Sequence, residues 1–182
     1  MNDDTYGVQT APDTVRIERL LPGPIERLWA YLTESDKRAQ WLAAGPMDLS
    51  AGAGVQLLFR NNELTPDDEP APPKYRSVSG EHRMQGYITV CEPPHLLGLT
   101  WGEEQGVPSE VRFELSPQGS QVKLTVTHSR LSSRDDMLSV SGGWHTHLAI
   151  LRARLEGTAP PGFWRTHTRL EAAYEERLPR AA

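Results

Sequence analysis

Between Pro93 and Leu155 the spacing of apolar residues changes period once, and that change fixes most of what the chain can become. After Pro93-Pro94, three segments are strand-like: His95 to Trp101, Val111 to Leu115 and Val122 to His128. Val111, Phe113 and Leu115, then Val122, Leu124 and Val126, alternate with polar residues as half-buried strands do. After Gly142-Gly143 the spacing is helical. Trp144, Leu148, Leu151 and Leu155 fall at i, i+4, i+7 and i+11, which is one continuous stripe. One long helix must therefore lie against an antiparallel sheet, leaving a pocket between the two.

The remainder fits around that pair. Residues 1–13 are polar without a period and are expected to form a mobile tail. Val15, Ile17 and Leu20 alternate with Arg16, Glu18 and Arg19 as an opening strand. Pro24 suits the first turn of a helix carrying Ile25, Leu28, Trp29 and Leu32. A second short helix starts at Ser35 or Asp36 and ends near Trp41. Met47 to Leu49 reads as a brief strand, and Ala51 to Gly54 bends into Val55, Leu57 and Phe59. Residues 61–79, with the run Pro66-Asp67-Asp68-Glu69-Pro70, lack apolar surface and are expected to be a mobile acidic, proline-rich insertion. Ordered chain resumes near Gly80 and runs through Ile88 and Val90, with later turns at Glu103–Pro108 and Pro117–Ser120.

Ser132 and Ser133, each three before an aspartate, predict the start of a short separate helix. Ser141 then caps the long one, and Gly157 with Pro160-Pro161 ends it. Residues 158–182, with Phe163, Trp164, Leu170, Tyr174 and Leu178, form a C-terminal extension expected as a helix on the outside of the domain or on a partner. Six or seven sequential strands and one long helix make the fold α+β, with a single curved antiparallel sheet wrapped around that helix.

Composition excludes several function classes. Six histidines and one cysteine, Cys91, rule out a disulfide framework and a cysteine-rich zinc site. The net charge is −5, and no basic run exceeds two residues, so a nucleic-acid footprint is not expected. No apolar run approaches the roughly 20 residues of a membrane span. The first residues, Met1-Asn2-Asp3-Asp4, are unlike a signal peptide. A lone thiol fits a reducing compartment, and the expected location is cytoplasmic.

The pieces resemble a known family. Pro24 to Trp29, Trp41, Gly86 to Pro93-Pro94, Leu99-Thr100-Trp101, Val111 to Leu115, Leu124 to His128, and Gly143-Trp144 before the leucine stripe occur in the order seen in the START-like (SRPBCC, helix-grip) superfamily. They are most similar to the group named after the activator of Hsp90 ATPase. The resemblance covers residues 14–157 and implies a helix-grip domain with a cavity, a container shared across the family without a shared reaction. The insertion at 61–79 and the extension after 158 depart from the common core. The Hsp90 activators also carry a separate chaperone-binding domain, and no segment of that size precedes residue 14.

The candidate cavity lining is Trp41, Phe59, Trp101, Phe113, His128, Trp144, His147, Leu148 and Leu151, largely apolar and aromatic as ligand pockets are. Trp29 reads as core. His145 and His147 lie roughly 200° apart on a helix, so they cannot both face inward. His147, three after Trp144 and four before Leu151, faces the cavity, and His145 faces out. His128 shares the parity of Val122, Leu124 and Val126 and points inward as a polar anchor. A metal would need His82 as a third ligand, and no metal or cofactor is assigned. The carboxylate pairs Asp67-Asp68-Glu69, Glu103-Glu104 and Asp135-Asp136 sit in turns and diverge. Tyr87 faces out, and Cys91 has no positive neighbour to lower its pKa. No catalytic residue is assigned.

The expected function is binding of a small apolar or amphipathic ligand. Two alternatives remain open: a protein-interaction, stress-response or co-chaperone-like module with a vestigial cavity, and a cyclase- or hydrolase-like enzyme on the same fold. The apolar residues of 163–178 suggest a homodimer.

Overall fold

A computed structural model describes residues 5–102 and 107–180. Seven strands form one antiparallel sheet in the order β1-β2-β7-β6-β5-β4-β3. They are β1 Val8–Ala11, β2 Thr14–Pro22, β3 Gly54–Arg60, β4 Glu81–Glu92, β5 Leu96–Trp101, β6 Ser109–Gln118 and β7 Gln121–Ser129. Strands β3 to β7 follow one another as a meander. The longest connection between consecutive strands is from β2 to β3, through helices α1 (Ile25–Thr33) and α2 (Ser35–Arg38), and it places β3 at the edge opposite β1. Isolated bridges from Ala44 to Leu58 and Met47 to Val55 partly cover that edge, which blunts a surface open to unwanted pairing.

The alternation in β6 and β7 fixes the register. Val15, His128 and Val111 stand side by side on β2, β7 and β6, and Leu99 and Ile88 extend the row across β5 and β4. One histidine thus sits in an otherwise apolar row on the buried face. On β2 the inward positions are Val15, Ile17, Arg19 and Leu21, not Leu20. Arg19 is buried and donates from Nη1 to the carbonyls of Thr5 and Glu18.

The long helix α4 spans Arg134–Glu156. Trp144, Leu148, Leu151 and Leu155 form its buried stripe against the sheet. Its N-cap is Ser133, whose hydroxyl accepts from the Asp136 amide, and its C-cap Gly157 is left-handed at φ 70°, the conformation that glycine adopts without strain. The separate short helix and the Ser141 cap therefore do not form: the helix runs straight through Gly142-Gly143, and Ser141 is buried in its middle. These two glycines serve packing rather than termination. A Cβ on Gly142 would touch the backbone of Glu171 at 3.6 Å, whereas one on Gly143 would meet open space.

Three further expectations are corrected. Of the presumed tail, Val8–Ala11 is a strand paired with β2. Residues 61–79 carry two single helical turns, Asn61–Glu63 and Pro73–Tyr75, and the short helix α3 (Arg76–Ser79), with Leu64 and Ala71 buried in the core. Helix α5 (Phe163–Arg177) is not a surface appendage. Phe163, Trp164, Leu170 and Tyr174, with Leu178 just beyond it, are buried within the chain's own fold, so the apolar face that suggested a partner is already covered.

The insertion and α5 hold one another. The Asp68 carboxylate accepts from the amides of Trp164 and Arg165 at 2.7 and 3.2 Å, and Thr65 Oγ1 accepts from Phe163 N at 3.0 Å. The acidic run therefore supplies partners for the orphan donors of a helix N-terminus and a charge that complements its dipole.

Candidate functional site

On one side of α4 the sheet, the 61–79 segment and α5 leave a cavity of about 220 Å³. Phe59 comes from β3, His82 and Met84 from β4 and Trp101 from β5. Gly143, Trp144 and His147 come from α4, and Phe163, Trp164 and His167 from α5. Asn61, Tyr75 and Val78 close it from the insertion. An outer chamber of about 690 Å³ adjoins it and shares Val78, His82, Met84, Trp101, Ser139 and Val140. The outer chamber is more polar, with Arg83, Arg130 and Asp136 in its wall.

The rings meet edge to face or tilted. Trp101 and Trp144 have centroids 4.9 Å apart, Phe59 and Trp101 5.8 Å, and His147 and Phe163 5.0 Å. Tyr75 stacks on Trp164 at 5.7 Å. These contacts hold large side chains in place while leaving the space between them unfilled.

Behind this wall lies a closed hydrogen-bonded chain. Trp144 Nε1 donates to His128 Nδ1 at 3.0 Å, so His128 carries its proton on Nε2. That N–H donates to Ser109 Oγ at 2.9 Å, and Ser109 donates onward to the Trp101 carbonyl at 2.9 Å. His128 is wholly buried, and burial pushes its pKa down to about 4. With both nitrogens engaged it orients Trp144 and Trp101 and has nothing left to offer a ligand.

His147 differs. Its Nδ1 lies 2.7 Å from the Trp41 carbonyl, which only accepts, so Nδ1 carries the proton. Burial, opposed by that carbonyl and reinforced by His167, pushes its pKa down to about 4, and the ring is neutral near pH 7. Its Nε2 is then a lone pair on the cavity side, with no protein partner among the described residues. His167 Nδ1 and Asn61 Oδ1 are buried without a hydrogen-bond partner.

The carboxylate beside His167 and Tyr75 is already committed. Glu171 accepts from Tyr75 Oη and Lys74 Nζ, each at 2.8 Å, and lies 3.6 Å from His167 Nδ1. Burial raises its pKa, but the Lys74 and Tyr75 hydrogen bonds outweigh that and leave it below the usual range. Burial lowers the His167 pKa against the pull of Glu171. Among the described residues no Lys, Arg, Asp or Glu lines the inner cavity.

Of the nine residues expected to line a pocket, Phe59, Trp101, Trp144 and His147 do so. Trp41 and Phe113 stand behind them around a residual space of about 10 Å³, Trp41 anchoring His147 and Phe113 backing Trp144 at 5.5 Å. His128 is the saturated support described above. Leu148 and Leu151 are in the main core. His145, expected to face solvent, is buried under α5, with Nδ1 2.9 Å from Tyr174 Oη. Tyr87 is outward as expected, at 59% exposure. The Glu103-Glu104 pair and most of the Glu103–Pro108 turn lie outside the described residues. Asp135 and Asp136 are in the first turn of α4, where they complement its dipole. Among the described residues no group of three or more His, Cys, Asp or Glu is arranged to hold a metal ion.

Sequence reasoning missed Asn61, Tyr75, Val78, Phe163, Trp164 and His167. The available signal was the density of aromatics in 163–174, which calls for a covering surface, and two aromatic-bearing stretches on either side of the fold can cover each other.

The sequence model of the family described as "Activator of Hsp90 ATPase homolog 1-like protein" matches residues 22–156. Among solved structures, a protein encoded by gene BPP1335 of Bordetella parapertussis is 46% identical. That match covers 97% of this chain and 92% of the other, with a TM-score of 0.81. CalU16 from Micromonospora echinospora is 22% identical over 94% of each chain, TM-score 0.67. DynU16, described as a putative protein in the dynemicin biosynthetic locus, is 20% identical over 82% of this chain and 49% of that one, TM-score 0.64. At those identities the last two establish likeness of fold. No curated protein matches the chain.

Proposed function

The chain belongs to the activator of Hsp90 ATPase homolog 1-like family, and we propose that it binds a small apolar or amphipathic molecule between α4, α5 and the β3–β5 end of the sheet. Folds of this kind commonly hold ligands in such a cavity. The observation that carries the reading is the aromatic cavity of about 220 Å³, left open although six large rings surround it. Ligand sites are concave and largely apolar or aromatic with a few polar groups, and this lining has that composition. The adjoining chamber, with its arginines and Asp136, suits the polar end of an amphipathic molecule. Phe59, Trp101, Trp144, Phe163 and Trp164 are the apolar contacts, and His147 is the polar anchor.

Gly143 provides the test. Its missing side chain opens onto this space, so Gly143→Leu fills the cavity from a position where the added Cβ meets no atom. Naphthalene, titrated into the 15N-labelled chain, is expected to shift the Trp144 and Trp164 indole N–H resonances. In Gly143→Leu its affinity should fall at least tenfold, with the fold retained in the amide spectrum. Equal affinity in both proteins would remove the cavity as the binding site.

A further inference from the structure

Among the described residues no Lys, Arg, Asp or Glu lines the inner cavity, and one of its polar atoms has a character fixed by the fold that bears on the class of ligand. Because the Trp41 carbonyl fixes the proton of His147 on Nδ1, Nε2 presents a lone pair to the cavity. Asn61 Oδ1, in the same lining, is a buried acceptor without a partner. The cations nearest this end are spent elsewhere: Lys74 on Glu171, Arg165 on Glu69 and the Asp67 carbonyl. None of them lines the inner chamber.

We infer that the inner cavity selects an uncharged, flat, largely apolar group that brings a hydrogen-bond donor to His147 Nε2, and that it rejects a carboxylate or other anion at that position. This rests on the ligand-binding reading above. An O–H or N–H placed at Nε2 pairs with an acceptor that no described protein group engages. An anion in the same place meets a lone pair, loses its water and gains no countercharge, a combination that strongly disfavours burial. Burial of His147 supports the assignment, since its pKa of about 4 keeps the ring from becoming a cationic donor near pH 7.

Three matched probes separate these terms: 2-naphthol, 2-methoxynaphthalene and 2-naphthoate, titrated by calorimetry into the full chain at pH 7.5. The expected order is 2-naphthol tightest, 2-methoxynaphthalene about tenfold weaker for want of the donor, and 2-naphthoate weaker than both. In His147→Phe the first two should bind equally. Equal binding of those two to the unsubstituted chain, or tightest binding of 2-naphthoate, overturns the inference and leaves the cavity reading standing. A tenfold preference that persists in His147→Phe overturns the role given to Nε2. Failure of all three to bind overturns both readings together.

Discussion

His145 and His147 stand two residues apart on α4, and the helix delivers them to two sides that are finished differently. On the β1–β2 side, His145 meets Tyr6 and Tyr174 edge to face, and Tyr174 Oη accepts from Gly7 N at 2.7 Å while contacting His145 Nδ1. Val15, Leu131, Met137, Leu138, Leu170 and Leu178 pack around them. The residual space near Gly7, His128 and Tyr174 comes to about 0 Å³. On the β3–β5 side, His147 faces about 220 Å³ with one nitrogen unengaged. The first side ties the chain's two ends to its middle. The second withholds contacts it could have made. The contrast teaches that aromatic density does not distinguish core from pocket; what does is whether the space among the rings is filled.

The largest expected effect is with pH. His128 and His147 have folded pKa values of about 4, below the unfolded value of 6.5. The unfolded chain therefore takes up protons that the fold excludes. The stability these groups contribute is complete above about pH 6.5 and is lost as pH falls through the window down to 4. The slope is about 1.4 kcal/mol per pH unit for each histidine. Urea unfolding at pH 5 should thus show about 4 kcal/mol less stability than at pH 7, and a free energy unchanged over that range would contradict two neutral buried imidazoles.

Next in size is Tyr174→Phe on the closed side. It strands Gly7 N–H and the partner atom of His145, and it should cost about 2 kcal/mol in the same assay. A loss below about 0.5 kcal/mol would mean that water replaces the hydroxyl and that this side is not sealed.

Smallest, and opposite in sign, is Gly143→Ala on the open side. Replacing glycine inside a helix, with nothing for the new methyl to strike, should raise stability by about 0.5–1 kcal/mol. Destabilisation there would mean that the two sides are filled alike.

Much of this was legible in the sequence, and the failures have a common cause. The Trp144–Leu155 stripe, the alternation in β6 and β7 and the Gly157 stop are local patterns, and each gave its element correctly. Gly142-Gly143 read locally as the opening of a helix. Its reasons are tertiary: close approach of Glu171 at the first glycine, open space at the second. Likewise Pro66 to Pro70 reads as loose chain until Asp68 is seen bonding the amide of Trp164, 96 residues away. His147 was placed by helical phase, but the state of its two nitrogens depends on the Trp41 carbonyl, 106 residues distant. Periodicity carries no information about such a partner.

Three of the five tryptophans, Trp101, Trp144 and Trp164, line the cavity, while Trp29 and Trp41 do not. Indole emission responds to the polarity and quenchers around the ring, so the protein's own light is weighted toward this one space. A molecule entering it displaces whatever touches those three faces at once, and the emission maximum and yield of the unlabelled chain become a direct readout of whether the cavity is occupied.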